Sequence, residues 1–597
     1  MRISQSLLLL TLSAVSAVAC TKTPSESGGV TDKTAKVHRI SDFNKEDEGL
    51  DSHMGVEGRS TLEPIYEYQQ VIPTALLGCT KPIYPRVKKC ADGSYIMLYQ
   101  QDQVASTIYY TKSDDLLSWT QGRRLFSPYD VTTAAGNTDN RRFSSADAAV
   151  LSNGDILAVV AFRANKAYRT SPADNGIMMK RSTDNGATWS DEQVIYVGTT
   201  WEPYLLELPS GELQCYFTDT EPQLKNSGTS MVVSNDGGKT WTPEGVSNAY
   251  KVIRQYKYDN GTTPIYTDQM PSVRMLNDGH TLLGFMEARL ETSATSGDTS
   301  YWMSLVYGKD SWKHLGEGET GPEDRQTNLF KGAAGYVSQF HSGETLISCN
   351  INSIFSMKLG SCDGRTFNGS SWDSGWIQPF PERGFWGATE VIGSHEVLGA
   401  MHTAAGGIQF GKFYLNHRIL APRTSVKVDG YNAEWTSDQA LFLGSVSDED
   451  QAVIRAAHDG ENLYVIVERS DMYISGADAV NVYLTTEEGG LDKAVKIAAK
   501  VDGTAEITSY SDSWKGATSV DARCAVNVLG TPDDGRSDEG VIVEISVPLS
   551  SFGGSSDSFL IDAELIKGST KDSFTGATLR STDSWMLIQT EKIDSFD

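Results

Sequence analysis

The sequence predicts an all-β chain, a six-bladed β-propeller followed by a β-sandwich, and three observations carry that reading. Glycine (55 residues), tyrosine (25) and tryptophan (12) are abundant, which suits many short strands joined by tight turns better than long helices. Between residues 80 and 420 a unit of apolar strand, glycine turn and second apolar strand recurs six times. Beyond residue 423 that unit stops, and strand-like runs of different spacing take over.

The six units read YPRVKKCADGSYIMLYQ, SADAAVLSNGDILAVVAFR, WEPYLLELPSGELQCYFTD, DQMPSVRMLNDGHTLLGFMEAR, GYVSQFHSGETLISCN and GATEVIGSHEVLGAMH. Their turns fall at Gly93, Gly154, Gly211, Gly279, Gly343 and the Gly393-Ser394 pair, about 50 to 68 residues apart. That interval holds a four-stranded blade with variable loops. A length of 597 residues allows two to four domains and a large core. A net charge of −26, from 51 Lys+Arg against 77 Asp+Glu, argues against a protein that grips nucleic acid or anionic lipid.

A second, local repeat supports the blades. Ser182-Thr-Asp184-Asn-Gly186-Ala-Thr188-Trp189 and Ser234-Asn-Asp236-Gly-Gly238-Lys-Thr240-Trp241 are two copies of S-x-D-x-G-x-T-W. Degenerate copies stand at Ser113-Asp114-Asp115 with Trp119 and at Ser361-Cys362-Asp363-Gly364. The aspartate can satisfy turn amides, glycine takes a backbone conformation closed to other residues, and tryptophan packs beneath. These residues resemble the Asp-box (BNR) repeat of sialidase-like β-propellers, a scaffold feature nearly silent on chemistry.

Within a blade the first strand starts, and the second ends, at the same mouth of the central channel, because the two pair antiparallel. First-strand starts are Arg86, Asp147, Glu202, Gln269, Tyr336 and the stretch from Trp386 to Glu390; second-strand ends are Gln100, Arg163, Asp219, Glu287, Asn350 and His402. Ionisable and amide side chains at nearly every such place are not what a packed core selects; a solvated polar channel is the bland alternative. Glu202 and Glu287, from the third and fourth blades, form the pair that glycoside hydrolysis needs. One protonates the leaving oxygen, and the other attacks carbon or activates water.

YPR at Tyr84–Arg86, WEP at Trp201–Pro203, DQMPSV at Asp268–Val273, FMEAR, and GY at Gly335–Tyr336 resemble glycoside hydrolase family 93 over roughly residues 80 to 420. The resemblance implies a retaining exo-acting enzyme of the exo-arabinanase type, with Glu202, Glu287 and Tyr336 catalytic. Glu202 is assigned as nucleophile and Glu287 as acid/base, either order being chemically open. Arg86, Asp147, Arg163, Trp201, Gln269, Arg289, Gln339, Trp386 and His402 are the expected substrate-binding residues. The enzymic rival is an exo-α-sialidase, which needs an arginine triad; Arg86, Arg163 and Arg289 are the candidates, but Tyr-Pro-Arg-Val lacks that family's Arg-Ile-Pro. A non-catalytic glycan-binding surface lipoprotein is the third reading, and an acidic glycan substrate stays open.

At the N-terminus, Arg2, an apolar run from Leu7 and the small residues Ala17-Val18-Ala19 before Cys20 resemble a bacterial lipobox. The expectation is a lipoprotein signal over 1–20, lipidated at Cys20, and a flexible tether over 21–60. The protein would then be exported and sit at the outer membrane or cell surface, touching membrane only through its lipid; an ordinary signal cut near Ala19 is the alternative. The propeller is expected over 61–423 and the sandwich over 424–597. Val428-Asp429-Gly430, Glu434-Trp435, the run Asp459–Val465 and Val543–Pro548 resemble a family 9 carbohydrate-binding module. Trp435, Trp514 and Trp585 are its candidate sugar-stacking rings, Trp435 reading better as core. The six cysteines after Cys20 show no CxxC pairing and no His-rich company, so no metal site is expected. Local disulfides Cys79–Cys90 or Cys349–Cys362 compete with free thiols. No cofactor is expected, a structural calcium ion in the last domain being left open.

Overall fold

The computed structural model describes residues 17–19, 35–45, 59–103, 106–168, 170–221, 226–253, 265–266, 268–291, 299–309, 312, 324–445, 449–516, 518–552, 557–568, 570–573 and 581–590. Cys20 and its expected lipidation lie outside them. Residues 67–415 form one compact unit; 416–597, with the described N-terminal residues 35–45 and 59–66, form the other.

The first unit is a six-bladed propeller. Its innermost strands are Pro82–Lys89, Thr138–Val150, Thr200–Glu207, Gln269–Met275, Ala333–Gln339 and Gly384–Val391. Each pairs antiparallel with the next strand in sequence: Tyr95–Gln101, Ile156–Ala164, Leu213–Asp219, Thr281–Glu291, Thr345–Ile351 and Glu396–Thr403. Third strands complete the repeated part of each blade. The ring is closed by an N-terminal strand, Gln70–Ile72, which pairs antiparallel with Ile408–Phe410 of the last blade. A closed ring covers edges that would otherwise invite pairing with another chain.

The S-x-D-x-G-x-T-W turns follow third strands. Asp184 accepts bonds from the Ser182 hydroxyl (2.8 Å), the Thr188 N–H (2.8 Å) and the Thr188 hydroxyl (2.5 Å). Asp236 repeats the pattern with Ser234, Lys239 and Thr240. The threonine hydroxyl and turn amides hold the Asp184 carboxyl down at about 2 and that of Asp236 lower still. Trp241 is buried beneath its turn, its indole N–H donating to Gly238 O at 3.1 Å.

The second unit is a sandwich of two sheets. One runs in the order Leu441–Leu443, Gln451–His458, Asn462–Ser470, Gly540–Pro548, Arg523–Leu529; the other is built around Ala479–Thr485 and Ser558–Lys567. Val, Ile, Leu and Ala from both inner faces make one core. Arg418–Leu420, read from sequence as the end of the propeller, instead pairs in parallel with Leu587–Gln589 of this sandwich. Residues 35–45, read as tether, are fixed to it. Asn432 brackets Lys36 through both its N–H (3.3 Å) and its C=O (2.6 Å), and Asn44 does the same to Ala440 (3.0 and 2.8 Å). Ala17–Ala19, assigned from sequence to the signal, pairs with Thr504–Glu506 on a sheet edge.

Arg469 is fully buried in this unit. It forms a two-pronged pair with Asp450 (2.7 and 2.6 Å) and lies 3.0 Å from Asp471 and 3.8 Å from Asp478. The guanidinium thus neutralises a cluster of buried aspartates. Among the described residues no group of three or more His, Cys, Asp or Glu is placed to hold a metal ion. The six cysteines after Cys20 are free thiols. Replacing Arg469 by Leu strands buried carboxylates without a counter-charge, so R469L is expected to lose about 3–5 kcal/mol in urea unfolding monitored on the intact chain.

Candidate active site

Each innermost strand carries the same defect at the same level. Two residues face one on the neighbouring strand: Tyr84-Pro85 opposite Tyr99, Ser145-Ala146 opposite Val160, Glu202-Pro203 opposite Phe217, Met270-Pro271 opposite Met286, Ala334-Gly335 opposite Cys349, Trp386-Gly387 opposite Met401. The first residue of every pair is left-handed, with φ of 62°, 55°, 56°, 50°, 57° and 52° in blade order, and none is glycine. Such a conformation costs roughly 1–2 kcal/mol for a residue with a side chain, and bulges of this kind redirect side chains beside active sites. The second position needs no ladder N–H, which admits proline in three blades. In two others it admits only glycine, because a Cβ at Gly335 would meet Met303 and Phe285 at 2.6–2.7 Å and one at Gly387 would meet Phe355 at 2.4 Å.

The bulges bring the blades into contact at the channel axis. Tyr84, Met270 and Ala334 pack with Ile83 in one buried cluster, and Trp386 lies against it. Beside that plug lies a small pocket lined by Tyr84, Arg86, Asp147, Glu202, Tyr204 and Tyr336, among others.

The left-handed residues are tied to the preceding blade by a second repeated contact. Gln100 Oε1 accepts the Ser145 N–H (2.6 Å), Thr218 Oγ1 the Met270 N–H (2.9 Å), Glu287 Oε2 the Ala334 N–H (2.7 Å) and Asn350 Oδ1 the Trp386 N–H (3.0 Å). All four acceptors occupy one register position, paired with the residue just before a bulge; Ala161 and His402 stand there in the remaining blades. Glutamine, threonine and asparagine serve this scaffold role uncharged. Glu287 alone among the four brings a carboxylate.

Glu287 is 4% exposed, and its other oxygen accepts the Gln269 amide at 2.6 Å. Burial pushes its pKa up to about 7, against the pull of those two donors. Glu202 keeps a partial opening to solvent. Its Oε2 accepts the Thr218 hydroxyl (2.8 Å) and the Met270 N–H (3.2 Å). Burial, then repulsion from Glu287, pushes Glu202 up to about 8. Arg86 is fixed, one Nη donating to Pro85 O (2.8 Å) and Trp386 O (3.1 Å), with the guanidinium 4.0 Å from the Tyr84 ring centre and 5.3 Å from that of Tyr336. Asp147 is 2% exposed, and neither of its oxygens has a hydrogen-bond partner. Burial, with Asp147 nearby, raises the Tyr336 phenol well above its ordinary range.

Of the sequence-expected residues, Arg86, Asp147, Glu202 and Tyr336 meet at the pocket, and Gln269 joins through Glu287. Trp386 and His402 do not line the pocket; they form a ring stack, 5.4 Å between centroids, with the exposed Phe385 alongside and the Trp386 ring 6.3 Å from that of Tyr84. Burial lowers the His402 pKa. Trp201 stacks on Tyr168 at 6.1 Å, over which Arg163 lies at 4.4 Å. Arg163 therefore does not line the pocket. Gln339 is not a site residue. It sits at the hairpin end of its strand, donating to Gly343 O (2.6 Å) and Cys362 O (2.8 Å) and accepting the Asn277 N–H. Asp219 is one residue out of register: Thr218 faces the site, while Asp219 is buried against Ser230 and Lys251. The Arg289 side chain lies outside the described residues. The sequence reading omitted Lys88, which bonds to the Tyr336 hydroxyl; its place two residues after Arg86 on an alternating strand was the available signal.

In the sandwich, Trp435 is core, its indole N–H donating to Glu544 at 2.7 Å. Trp585 is fully buried and stacks on the half-buried Trp514 at 6.2 Å.

No protein-family model matches the chain, and no curated protein matches it. Among solved structures it is similar to a protein of unknown function from Dyadobacter fermentans (14% identity over 61% of this chain and 100% of that one, TM-score 0.41). It is also similar to an α-L-arabinanase of Penicillium chrysogenum solved with arabinobiose (15%, 60% and 98%, TM-score 0.39). A third is the GH93 α-L-arabinofuranosidase of Fusarium graminearum with arabinobiose (13%, 60% and 97%, TM-score 0.42). Similarity at this level leaves function to be argued from the chain's own residues.

The repeated contact gives an internal control. Asn350→Ala removes the acceptor of the Trp386 N–H and is expected to cost about 1–3 kcal/mol in denaturant unfolding. Glu287→Gln keeps an acceptor there, as Gln100 does, and is expected to be at least as stable as wild type. Ala334→Gly relieves left-handed strain against glycine's greater unfolded-state entropy, for an expected gain of about 0–1 kcal/mol.

Proposed function

We propose that the chain is an exo-acting, retaining glycoside hydrolase for neutral glycans, with Glu202 as acid/base and Glu287 as nucleophile. One observation carries the reading: a scaffold position served elsewhere by Gln100, Thr218 and Asn350 holds a carboxylate in the blade facing Glu202. Two buried carboxylates that repel each other weaken a fold, and chemistry is what such a pair supplies.

The roles follow from the hydrogen-bond donors around each carboxylate. Glu287 has a donor on each oxygen, which favours its ionised form and suits attack on the anomeric carbon. Both bonds to Glu202 converge on Oε2, leaving Oε1 to carry the proton given to the leaving oxygen. This reverses the order written from sequence. The plugged axis makes the pocket blind, which suits removal of a chain end. Arg86 on its wall is already engaged by carbonyls and rings, which disfavours a sialic or uronic acid. The sequence resemblance makes linear α-1,5-arabinan the first substrate to try. Export and lipidation at Cys20 belong to the same proposal, and the sandwich serves as spacer, its tryptophans being turned inward or half-covered.

Incubated with linear arabinan, sialyllactose and acidic plant glycans, the wild type is expected to release sugar from the neutral polymer alone. E202Q and E287Q should each lose at least about 10³-fold. Azide should rescue Glu287→Ala as an inverted glycosyl azide and Glu202→Ala as a retained one; the opposite pairing reverses the roles. Binding without release by the wild type on this panel and a broader one makes the protein a lectin.

The pKa shifts predict pH behaviour. Activity needs Glu287 ionised and Glu202 protonated, so kcat/KM should be bell-shaped with limbs near about 7 and about 8. Both glutamates hold their proton more tightly folded than unfolded. Wild-type stability therefore falls as pH rises from the ordinary glutamate range through these values. The two glutamine variants escape that loss, so their Tm advantage should be largest near pH 8 and close as pH falls towards 4.5.

A further inference from the structure

Beneath the pocket, two residues below Arg86 on the same strand, lies Lys88, 9% exposed. Its ammonium donates to Glu390 Oε2 at 2.9 Å and to the Tyr336 hydroxyl at 3.1 Å, and it lies 5.5 Å from the Tyr336 ring centre. It thus joins three blades, the first, fifth and sixth, under the floor of the site. The bland reading is a buried ion pair that closes the ring.

The chemistry of the contact goes further. An ammonium has three donors and no acceptor, whereas a phenol can donate once and accept. At the Lys88 contact the Tyr336 oxygen must accept, so its own O–H is free to donate elsewhere. Burial keeps this phenol protonated. Arg86 lies over its ring and Tyr204 packs edge-on at 5.7 Å. Tyr336 itself lines the pocket, together with Asp147 and Glu202.

We propose that Lys88 is the positioning residue for Tyr336, orienting and polarising its hydroxyl so that it donates a hydrogen bond to a sugar oxygen in the pocket. The proposal deepens the glycosidase reading and rests on it for the identity of the acceptor. Glu390 holds Lys88 charged and in place, so the device is a relay of three residues, Glu390, Lys88 and Tyr336, from three blades. No covalent step is assigned to Tyr336.

The test is a double-mutant cycle with a spectroscopic arm. K88M and Y336F are each expected to lower kcat on the best substrate by about 10–100-fold with a smaller change in KM, and K88M/Y336F to be no worse than Y336F. Additive losses would make Lys88 a structural ion-pair member and overturn the proposal. With ring-labelled ¹³C-tyrosine, the Tyr336 Cζ signal, assigned by its absence in Y336F, should move in K88M; an unmoved signal also overturns it. Should K88M not fold, K88Q, shorter and uncharged, carries the same two expectations. The NMR arm needs no turnover. A wild type that releases no sugar sinks the glycosidase reading while the Lys88–Tyr336 contact is still decided.

Discussion

The site depends on a backbone constraint repeated around the ring. In each blade the innermost strand takes in one extra residue and turns it left-handed, at a place where none of the six residues is glycine. The strain is local and the return is collective. Redirected side chains from separate blades meet on the axis and close it, and the chain just beyond each bulge presents Arg86, Asp147, Tyr204 and Tyr336 to one pocket. A regular ladder would keep strict alternation and leave the channel lined by whatever faced inward.

The inter-blade hydrogen bonds make that strain affordable and also set the electrostatics. A left-handed residue beside a bulge has an N–H that the ladder does not take up in the regular way, and in four of the six blades a side chain from the preceding blade accepts it. Three blades use neutral acceptors and one uses Glu287. The repeat therefore separates scaffold from chemistry within a single molecule: the hydrogen bond is common, the charge is not. Glu202, itself a left-handed residue, then sits close enough to Glu287 for each proton to matter to the other.

The two units treat buried charge in opposite ways. In the sandwich, Arg469 is matched by carboxylates within hydrogen-bond reach and the cluster is self-neutralising. In the propeller, Asp147 is buried with no hydrogen-bond partner, and Glu202 and Glu287 are raised above the ordinary glutamate range. The first arrangement is what a stable core needs. The second leaves proton affinity and hydrogen-bonding capacity for something that enters the pocket.

Much of the fold was legible because it rests on local pattern. Alternating apolar strands, glycine turns and the S-x-D-x-G-x-T-W turns are periodic signals that short windows of sequence reveal, and antiparallel pairing within a blade carried Arg86, Asp147, Glu202, Glu287 and Tyr336 to one mouth. What failed was parity and partnership. The second strand of the third blade runs one residue past the site position, which put Asp219 where Thr218 belongs; distance along the strand left Gln339 at the wrong end. Arg418–Leu420 continued a strand-like run that gave no sign of pairing with residues near 588. The sequence by itself determined that six blades would gather carboxylates around a channel, since that follows from residue type and a period of two. Only the tertiary structure decided which carboxylate is tied down, which one keeps a free oxygen, and that Lys88 stands behind Tyr336. Those depend on contacts between blades some fifty to two hundred and fifty residues apart, and no local pattern encodes them.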